Sequence, residues 1–154
     1  MIRLEHILTP GRSLVNAPGG SKKKVLEHIA NLIAREVPGL EMQVVFDSLI
    51  AREKLGSTGF GNGIAIPHCR LAGCNTPISA LLHLENKIDY DAIDGAPVDL
   101  VFVLLVPQEA TNEHLALLSQ IAGMLDRADV RERLRAAPSS EALFQVVLDE
   151  QKGH

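Results

Sequence analysis

A nearly unbroken apolar run, Val-Asp-Leu-Val-Phe-Val-Leu-Leu-Val from Val98 to Val106, constrains the fold of this chain more than any other feature. Such a run is typical of a strand that is buried on both faces at the centre of a sheet. Pro107 is expected to end it, because proline has no backbone N–H to donate. Helical patterns lie on either side of this strand along the chain, so the sequence predicts an α/β domain of layered helices and strands.

The remaining elements follow from the spacing of apolar residues and from the residues at each boundary. Ser21, Thr111 or Asn112, and Ser139 are suited to cap helices. The spacing predicts helices over about 21–37, 41–53, 111–125, 129–136 and 139–150. It predicts strands over about 13–16, 64–66, 78–84 and 98–106.

Length and composition narrow the class of protein. The chain has 154 residues, of which 46% are hydrophobic, and we expect one domain spanning 1–154. It lacks 18 consecutive apolar residues and a signal-peptide pattern, which predicts a cytoplasmic protein without membrane insertion. The net charge is −4 and the only cationic run is the Lys-Lys-Lys of 22–24. We therefore expect no nucleic-acid partner.

The segment from residue 56 to residue 68 reads Gly-Ser-Thr-Gly-Phe-Gly-Asn-Gly-Ile-Ala-Ile-Pro-His. Four glycines allow positive φ angles and a close approach of the backbone to a ligand. The pattern predicts a pliable loop that binds an anion through its backbone. Pro67 should end the following strand, so His68 is expected to be presented at its exit rather than paired.

Other chemistries fit this segment less well. Nucleotide-binding glycine motifs open a helix, whereas these glycines follow a predicted helix and open a strand. Neighbours in an extended segment point to opposite faces, so His68 and Cys69 are poorly placed to share a metal. Ser57 and Cys69 lack an identifiable activating base. We expect neither a cofactor nor a metal, and Cys69 and Cys74 are given no role.

The six histidines divide into two groups. His6, His28 and His154 are expected at the surface or a terminus, and His83 is expected to be a satisfied histidine within or beside the core. His68 is the candidate nucleophile, base or ligand. His114 lies in the first turn of a helix, where backbone donors favour an anion. From spacing alone, an anion-binding role for His114 and an ordinary capping role are equally supported.

At these residues the chain resembles the type-2 enzyme IIA domain of the phosphoenolpyruvate-dependent phosphotransferase system, the fructose/mannitol type. The motif consists of Arg-Glu-Lys-Leu-Gly-Ser-Thr-Gly over 52–59 and Gly-Asn-Gly-Ile-Ala-Ile-Pro-His over 61–68. The resemblance covers essentially the whole chain. Segments 21–24 and 88–99 are most similar to the nitrogen-regulatory branch of that family.

The resemblance implies a layered α/β structure, a sandwich in which helices flank a mixed β-sheet. It implies that His68 carries a phosphoryl group on Nε2 and that Arg52 and His114 border it. Phosphoryl transfer depends mainly on positioning and on cationic or N–H donors, which Arg52 and His114 can supply. A phosphate loop is expected from six residues: Gly56, Ser57, Thr58, Gly59, Gly61 and Gly63.

The expected function is that of a regulatory phosphocarrier. It would accept the phosphoryl group from an HPr-like carrier protein and control unidentified partners by its phosphorylation state. A chain ending at His154 without a further carrier domain favours regulation. The main alternative is a sugar-transport enzyme IIA that passes phosphate to a separate enzyme IIB, and another is a binding module that has lost transfer. An apolar patch around Phe60 and Ile64 is expected to dock the carrier.

Overall fold

The computed structural model describes residues 2–152 and confirms a layered α/β fold with a mixed sheet. His154 lies outside the described residues. Within 2–152, five α-helices occur in chain order: α1 Lys22–Glu36, α2 Met42–Lys54, α3 Asn112–Leu125, α4 Ala128–Ala136 and α5 Ser140–Lys152. The same range contains six strands: β1 Ser13–Ala17, β2 Gly59–Gly61, β3 Ile64–Ala65, β4 His68–Leu71, β5 Ile78–Ile88 and β6 Val98–Pro107. Two short 3-10 helices, Leu4–His6 and Pro10–Arg12, precede β1.

Strand β6 is the centre of the sheet, as its apolar run predicts. It pairs antiparallel with β5 on one side, and β1 lies beyond β5 in parallel. On its other side it pairs in parallel first with β3 and then with β4. Strand β2 completes the sheet by pairing antiparallel with β3. Every residue from Val98 to Val106 is buried.

Helices cover both faces of the sheet, and alternation along β6 assigns its side chains to the two layers. Val101 and Val103 pack in the core formed with α1 and α2. Leu100, Phe102 and Leu104 pack in the core formed with α3, α4 and α5. Burial of each such side chain contributes about 1.5–3 kcal/mol. The two apolar layers therefore hold β6, and the strands paired with it, in a fixed position.

The predicted helix boundaries are confirmed to within a few residues. Ser21 caps α1, since its hydroxyl accepts a hydrogen bond from the Lys24 N–H at 3.2 Å. Ser139 does the same for α5 by accepting from the Ala142 N–H at 3.1 Å. In the helix predicted over 41–53, the apolar stripe is Val44, Val45, Leu49 and Ile50. Val44 differs from this pattern, since it is 41% exposed rather than packed in the core.

The glycine-rich segment is an ordered hairpin, so the prediction of a pliable loop is wrong over 59–63. Strands β2 and β3 pair through a turn at Asn62 and Gly63, whose φ angles are 57° and 78°. An Asn-Gly pair with two positive φ angles is the sequence most suited to a two-residue hairpin turn. The glycines therefore permit a tight turn and close strand packing.

The Asn62–Gly63 turn is anchored to the sheet and to α4. Arg135 donates from Nη2 to the Asn62 carbonyl at 2.9 Å and to the Asp99 carboxylate at 2.8 Å. Asp99 is buried in β6, and His83 lies 3.3 Å from it through Nε2. The expectation of a satisfied, flanking His83 is consistent with this contact. Strand β6 thereby fixes the hairpin as well as the strands beside it.

Gly59→Ala is expected to destabilise the protein by about 1–3 kcal/mol, because the new methyl overpacks a rigid contact. A Cβ at Gly59 would lie 2.8 Å from the Cα of Ala92, a backbone atom that cannot rotate away. Urea denaturation measures the loss. The matched control is Gly123→Ala in α3, where no other atom lies within 4 Å of the added Cβ. Because alanine is the better helix former, this change should raise the free energy of unfolding by up to about 1 kcal/mol. Equal stability of Gly59→Ala and the wild type would contradict the packing argument.

Candidate functional site

A cavity of about 300 Å³ brings Arg52, His68 and His114 together. Arg52 comes from the last turn of α2, His68 begins β4, and His114 lies in the first turn of α3. The rest of the wall consists of one further cation, Arg70, and of five other residues: Cys69, Leu104, Val106, Leu115 and Leu118. The cavity is therefore an apolar cleft with four basic side chains.

The backbone presents His68 differently from the sequence prediction. Strand β3 ends at Ala65, but the backbone pairs with β6 again from His68, the residue directly after Pro67. His68 stands opposite Leu104 in parallel register, so the prediction that it is unpaired is wrong. Pro67 removes one donor, yet its carbonyl accepts from the Leu104 N–H at 2.9 Å. The histidine is consequently held by the central strand rather than by the end of a loop.

The His68 ring has a defined tautomer. Its Nδ1 lies 2.7 Å from the Ile66 carbonyl oxygen. A carbonyl can only accept, so Nδ1 must carry the proton, and the neutral ring keeps its lone pair on Nε2. Burial lowers the pKa of His68, the Ile66 carbonyl opposes this, and the positive charge of Arg52 lowers the pKa further. The site therefore favours a neutral imidazole with a nucleophilic Nε2.

The pKa shift gives a direct expectation for titration. His68 should titrate with a midpoint below the ordinary value of about 6.5, and the ring should be neutral at pH 7. Arg52→Gln should raise that midpoint, since it removes a charge that disfavours the imidazolium. Histidine ring signals in NMR spectra recorded from pH 8 to pH 5 measure both values. A wild-type midpoint above 6.5 would contradict the assignment.

His114 is held by a capping box with Thr111. Its Nδ1 accepts from the Thr111 N–H at 3.1 Å, and the Thr111 hydroxyl accepts from the His114 N–H at 3.4 Å. Because Nδ1 accepts, the neutral ring carries its proton on Nε2. The capping role is therefore observed, and it leaves His114 with a donor that complements the acceptor on His68. An anion-binding role for His114 stays a prediction.

Arg52 holds the turn that follows α2. Its Nη1 donates to the Gly56 carbonyl at 2.9 Å, and the side chain also lines the cavity. A guanidinium has five N–H donors, so this single bond leaves others for a ligand. The arrangement fixes the position of a forked cation beside His68.

Glu53, the buried residue that follows Arg52 in α2, has a structural role that the sequence does not indicate. Its carboxylate accepts from the Thr58 N–H at 2.9 Å, the Thr58 hydroxyl at 2.7 Å and Lys22 Nζ at 3.0 Å. Burial alone would raise the pKa of Glu53, but these donors outweigh burial and keep it below the usual range. A carboxylate at a helix end gives no sequence signal of such partners. Glu53 thus ties α1, α2 and the 55–58 turn together.

The structure places the predicted loop residues beside the site rather than in its wall. Ser57 donates to the Tyr90 carbonyl at 3.0 Å and accepts from the Gly59 N–H at 3.0 Å. All six loop residues lie in the described part of the chain, and the residues lining the cavity include none of them: Gly56, Ser57, Thr58, Gly59, Gly61 and Gly63. Their role as a phosphate loop stays a prediction.

Two further expectations meet the structure here. Phe60 is 45% exposed, but Ile64 is only 4% exposed, so the predicted apolar patch around both residues is wrong for Ile64. Ile64 pairs with Leu100 and packs in the core. Burial raises the pKa of Cys69 to about 12, so its thiol stays protonated and unreactive.

Two features are absent from residues 2–152. No helix in this range combines the length and apolar character needed to cross a membrane. The same residues contain no cluster of three or more histidine, cysteine or acidic side chains that could hold a metal ion.

Comparison with known proteins places these features in a family. Residues 6–150 match the family model described as phosphoenolpyruvate-dependent sugar phosphotransferase system, EIIA 2. The chain is 73% identical over 153 residues to the nitrogen regulatory protein of Pseudomonas aeruginosa, covering 99% of each chain. It is similar to the crystal structure of nitrogen regulatory protein IIA-Ntr from Neisseria meningitidis, with a TM-score of 0.88, 41% identity, and coverage of 94% of this chain and 98% of that one.

A more distant likeness concerns the fold alone. The crystal structure of IIA mannitol from Escherichia coli gives a TM-score of 0.70 at 18% identity, covering 96% of this chain and 99% of that chain. The similarity to the Pseudomonas aeruginosa protein and to the Neisseria meningitidis structure confirms the resemblance to the nitrogen-regulatory branch.

Proposed function

This chain belongs to the EIIA 2 family of the phosphoenolpyruvate-dependent sugar phosphotransferase system, and we propose that it is a cytoplasmic, single-domain phosphocarrier with a regulatory role. In this proposal Nε2 of His68 accepts a phosphoryl group from an HPr-like carrier protein. The observation that carries the proposal is the 2.7 Å contact from His68 Nδ1 to the Ile66 carbonyl. It leaves the Nε2 lone pair as the nucleophile of a neutral ring.

The transfer exchanges one phosphorus–nitrogen bond for another. Nε2 of His68 attacks phosphorus, the bond to the carrier histidine breaks, and the carrier imidazole leaves with the electron pair. Neither redox chemistry nor a separate base is needed, because the attacking nitrogen is already unprotonated. The transition state spreads negative charge over three equatorial oxygens, so donors placed around it lower the barrier.

Arg52 and His114 are the proposed donors. Arg52 can contact two oxygens with its fork, a geometry that strengthens a charge-assisted hydrogen bond. His114 can donate from Nε2, since its Nδ1 is occupied by the Thr111 N–H. Of the predicted loop residues, Gly56 contributes by accepting a hydrogen bond from Arg52 through its carbonyl. Each group is positioned before the carrier arrives.

The functional experiment separates regulation from sugar transport. The protein is phosphorylated with phosphoenolpyruvate, enzyme I and an HPr-like carrier, and one phosphoryl group per chain is expected by mass spectrometry. The phosphorylated protein is then mixed with membranes containing fructose- or mannitol-type permeases, and sugar phosphate is followed. Slow or absent delivery to sugar supports the regulatory role. Rapid delivery would replace it with the transport alternative, and failure to accept phosphate would leave the pure binding module.

His114→Ala is expected to accept phosphate on His68 but to release or transfer it abnormally. Loss of one hydrogen bond to a charged group, about 1.5–3 kcal/mol, should alter single-turnover gain or loss of phosphate roughly tenfold or more. Quenched-flow measurement in both directions tests this. His114→Gln, which keeps a donor, is the matched comparison. Wild-type rates in both directions for His114→Ala would leave only the capping role.

A further inference from the structure

Arg70 shares the cavity with His68 because of strand geometry. Alternate residues of a strand point to the same face, about 6.6 Å apart, so Arg70 stands beside His68 on β4. The cross-strand partners of these residues are Leu104 and Val106. Both partners also line the cavity, so His68 and Arg70 lie next to apolar side chains of β6 in the same cavity wall.

A phosphoryl group bound in the cavity would carry more negative charge than Arg52 alone can balance. A phosphoryl group carries about −1.5 to −2 at neutral pH. The described residues that line the cavity include two arginines, two histidines and no carboxylate. The nearby Glu53 carboxylate forms an ion pair with Lys22. Arg52 already donates one hydrogen bond to the Gly56 carbonyl. Arg52 alone therefore balances only part of the phosphoryl charge.

Arg70 is an exposed residue that lines the cavity. Within residues 2–152 it forms no ion pair. An exposed side chain of this length can turn towards a bound anion without breaking an existing contact. We propose that Arg70 is a phosphoryl-binding residue that contacts the group on His68 and selectively stabilises the phosphorylated state. This proposal rests on the proposed function and adds a residue to it.

An equilibrium measurement isolates this role from carrier docking. The equilibrium constant for transfer between the carrier and His68 depends only on the separated proteins, so contacts in the encounter complex cancel. Arg70→Gln should shift it towards the phosphorylated carrier by about three- to tenfold, the range between an exposed ion pair and a charge-assisted bond. Arg70→Lys should restore part of the shift, because it keeps the charge and loses the fork. Arg35→Gln, an exposed arginine on α1, is the control.

Phosphorus NMR provides the second readout. A cation beside the phosphoryl group favours its dianion, so Arg70→Gln should raise the pH at which the phosphohistidine signal titrates. An unchanged equilibrium constant and titration in Arg70→Gln, with His68 still labelled, would overturn the assignment of Arg70 and leave the proposed function intact. Failure of the wild type to take phosphate on His68 would overturn both.

Discussion

Replacing His68 with alanine is expected to abolish phosphoryl acceptance completely. Among the residues that the structure describes, the substitution removes the only histidine ring whose Nδ1 is held by a backbone carbonyl, at 2.7 Å, which leaves Nε2 as the acceptor nitrogen. Phosphoenolpyruvate, enzyme I and the HPr-like carrier supply the phosphoryl group, and mass spectrometry follows it. The label on the wild type should be acid-labile and alkali-stable, as a phosphoramidate bond requires.

The control for this experiment is His6→Ala, since His6 is an exposed histidine that does not line the cavity. It should accept phosphate as the wild type does. Thermal denaturation of both variants verifies that they are folded. Label that persists in a folded His68→Ala protein would show that another residue is the acceptor.

Arg52→Lys is expected to slow transfer about ten- to a hundredfold, because a charge-assisted hydrogen bond contributes about 1.5–3 kcal/mol. Lysine keeps the positive charge but loses the planar fork that contacts two oxygens at once. It also loses the fixed geometry of the Gly56 contact. Single-turnover phosphorylation of His68 measures the effect.

The comparison variant for Arg52 is Lys54→Arg, in the same helical turn but exposed to solvent. It preserves charge and helix propensity, so its transfer rate should equal that of the wild type. An Arg52→Lys protein with an unchanged rate would limit Arg52 to its contact with the Gly56 carbonyl. A loss of folding would appear as a lower urea midpoint and would be distinguished from slow transfer.

The main elements of the fold could be predicted because their signals are local. The apolar run of β6 and the apolar faces of the helices indicate burial without any knowledge of the segment that packs against them. Caps such as Ser21 act within one helical turn. The residue pattern singled out His68 and His114, the resemblance added Arg52, and the fold brings these three side chains to one cavity.

The arrangement within the site depends on contacts between distant segments, which a single sequence does not reveal. The position of His68 follows from its register with Leu104, and the order of the glycine hairpin follows partly from Arg135, 73 residues beyond Asn62. Glu53 finds Lys22 on another helix. A glycine-rich segment has the same composition whether it is a flexible loop or a pinned hairpin, so the pliable loop was a reasonable but wrong expectation.

The carbonyl that orients His68 belongs to Ile66, between two stretches of backbone that both pair with β6. Rotation of the ring would break this hydrogen bond, and the carbonyl that accepts it is held in place by the sheet on both sides. The loaded and unloaded proteins should therefore have nearly the same shape and differ by about two negative charges at the mouth of one cleft. A partner that distinguishes them has to sense potential rather than conformation, and its discrimination should weaken as salt is added.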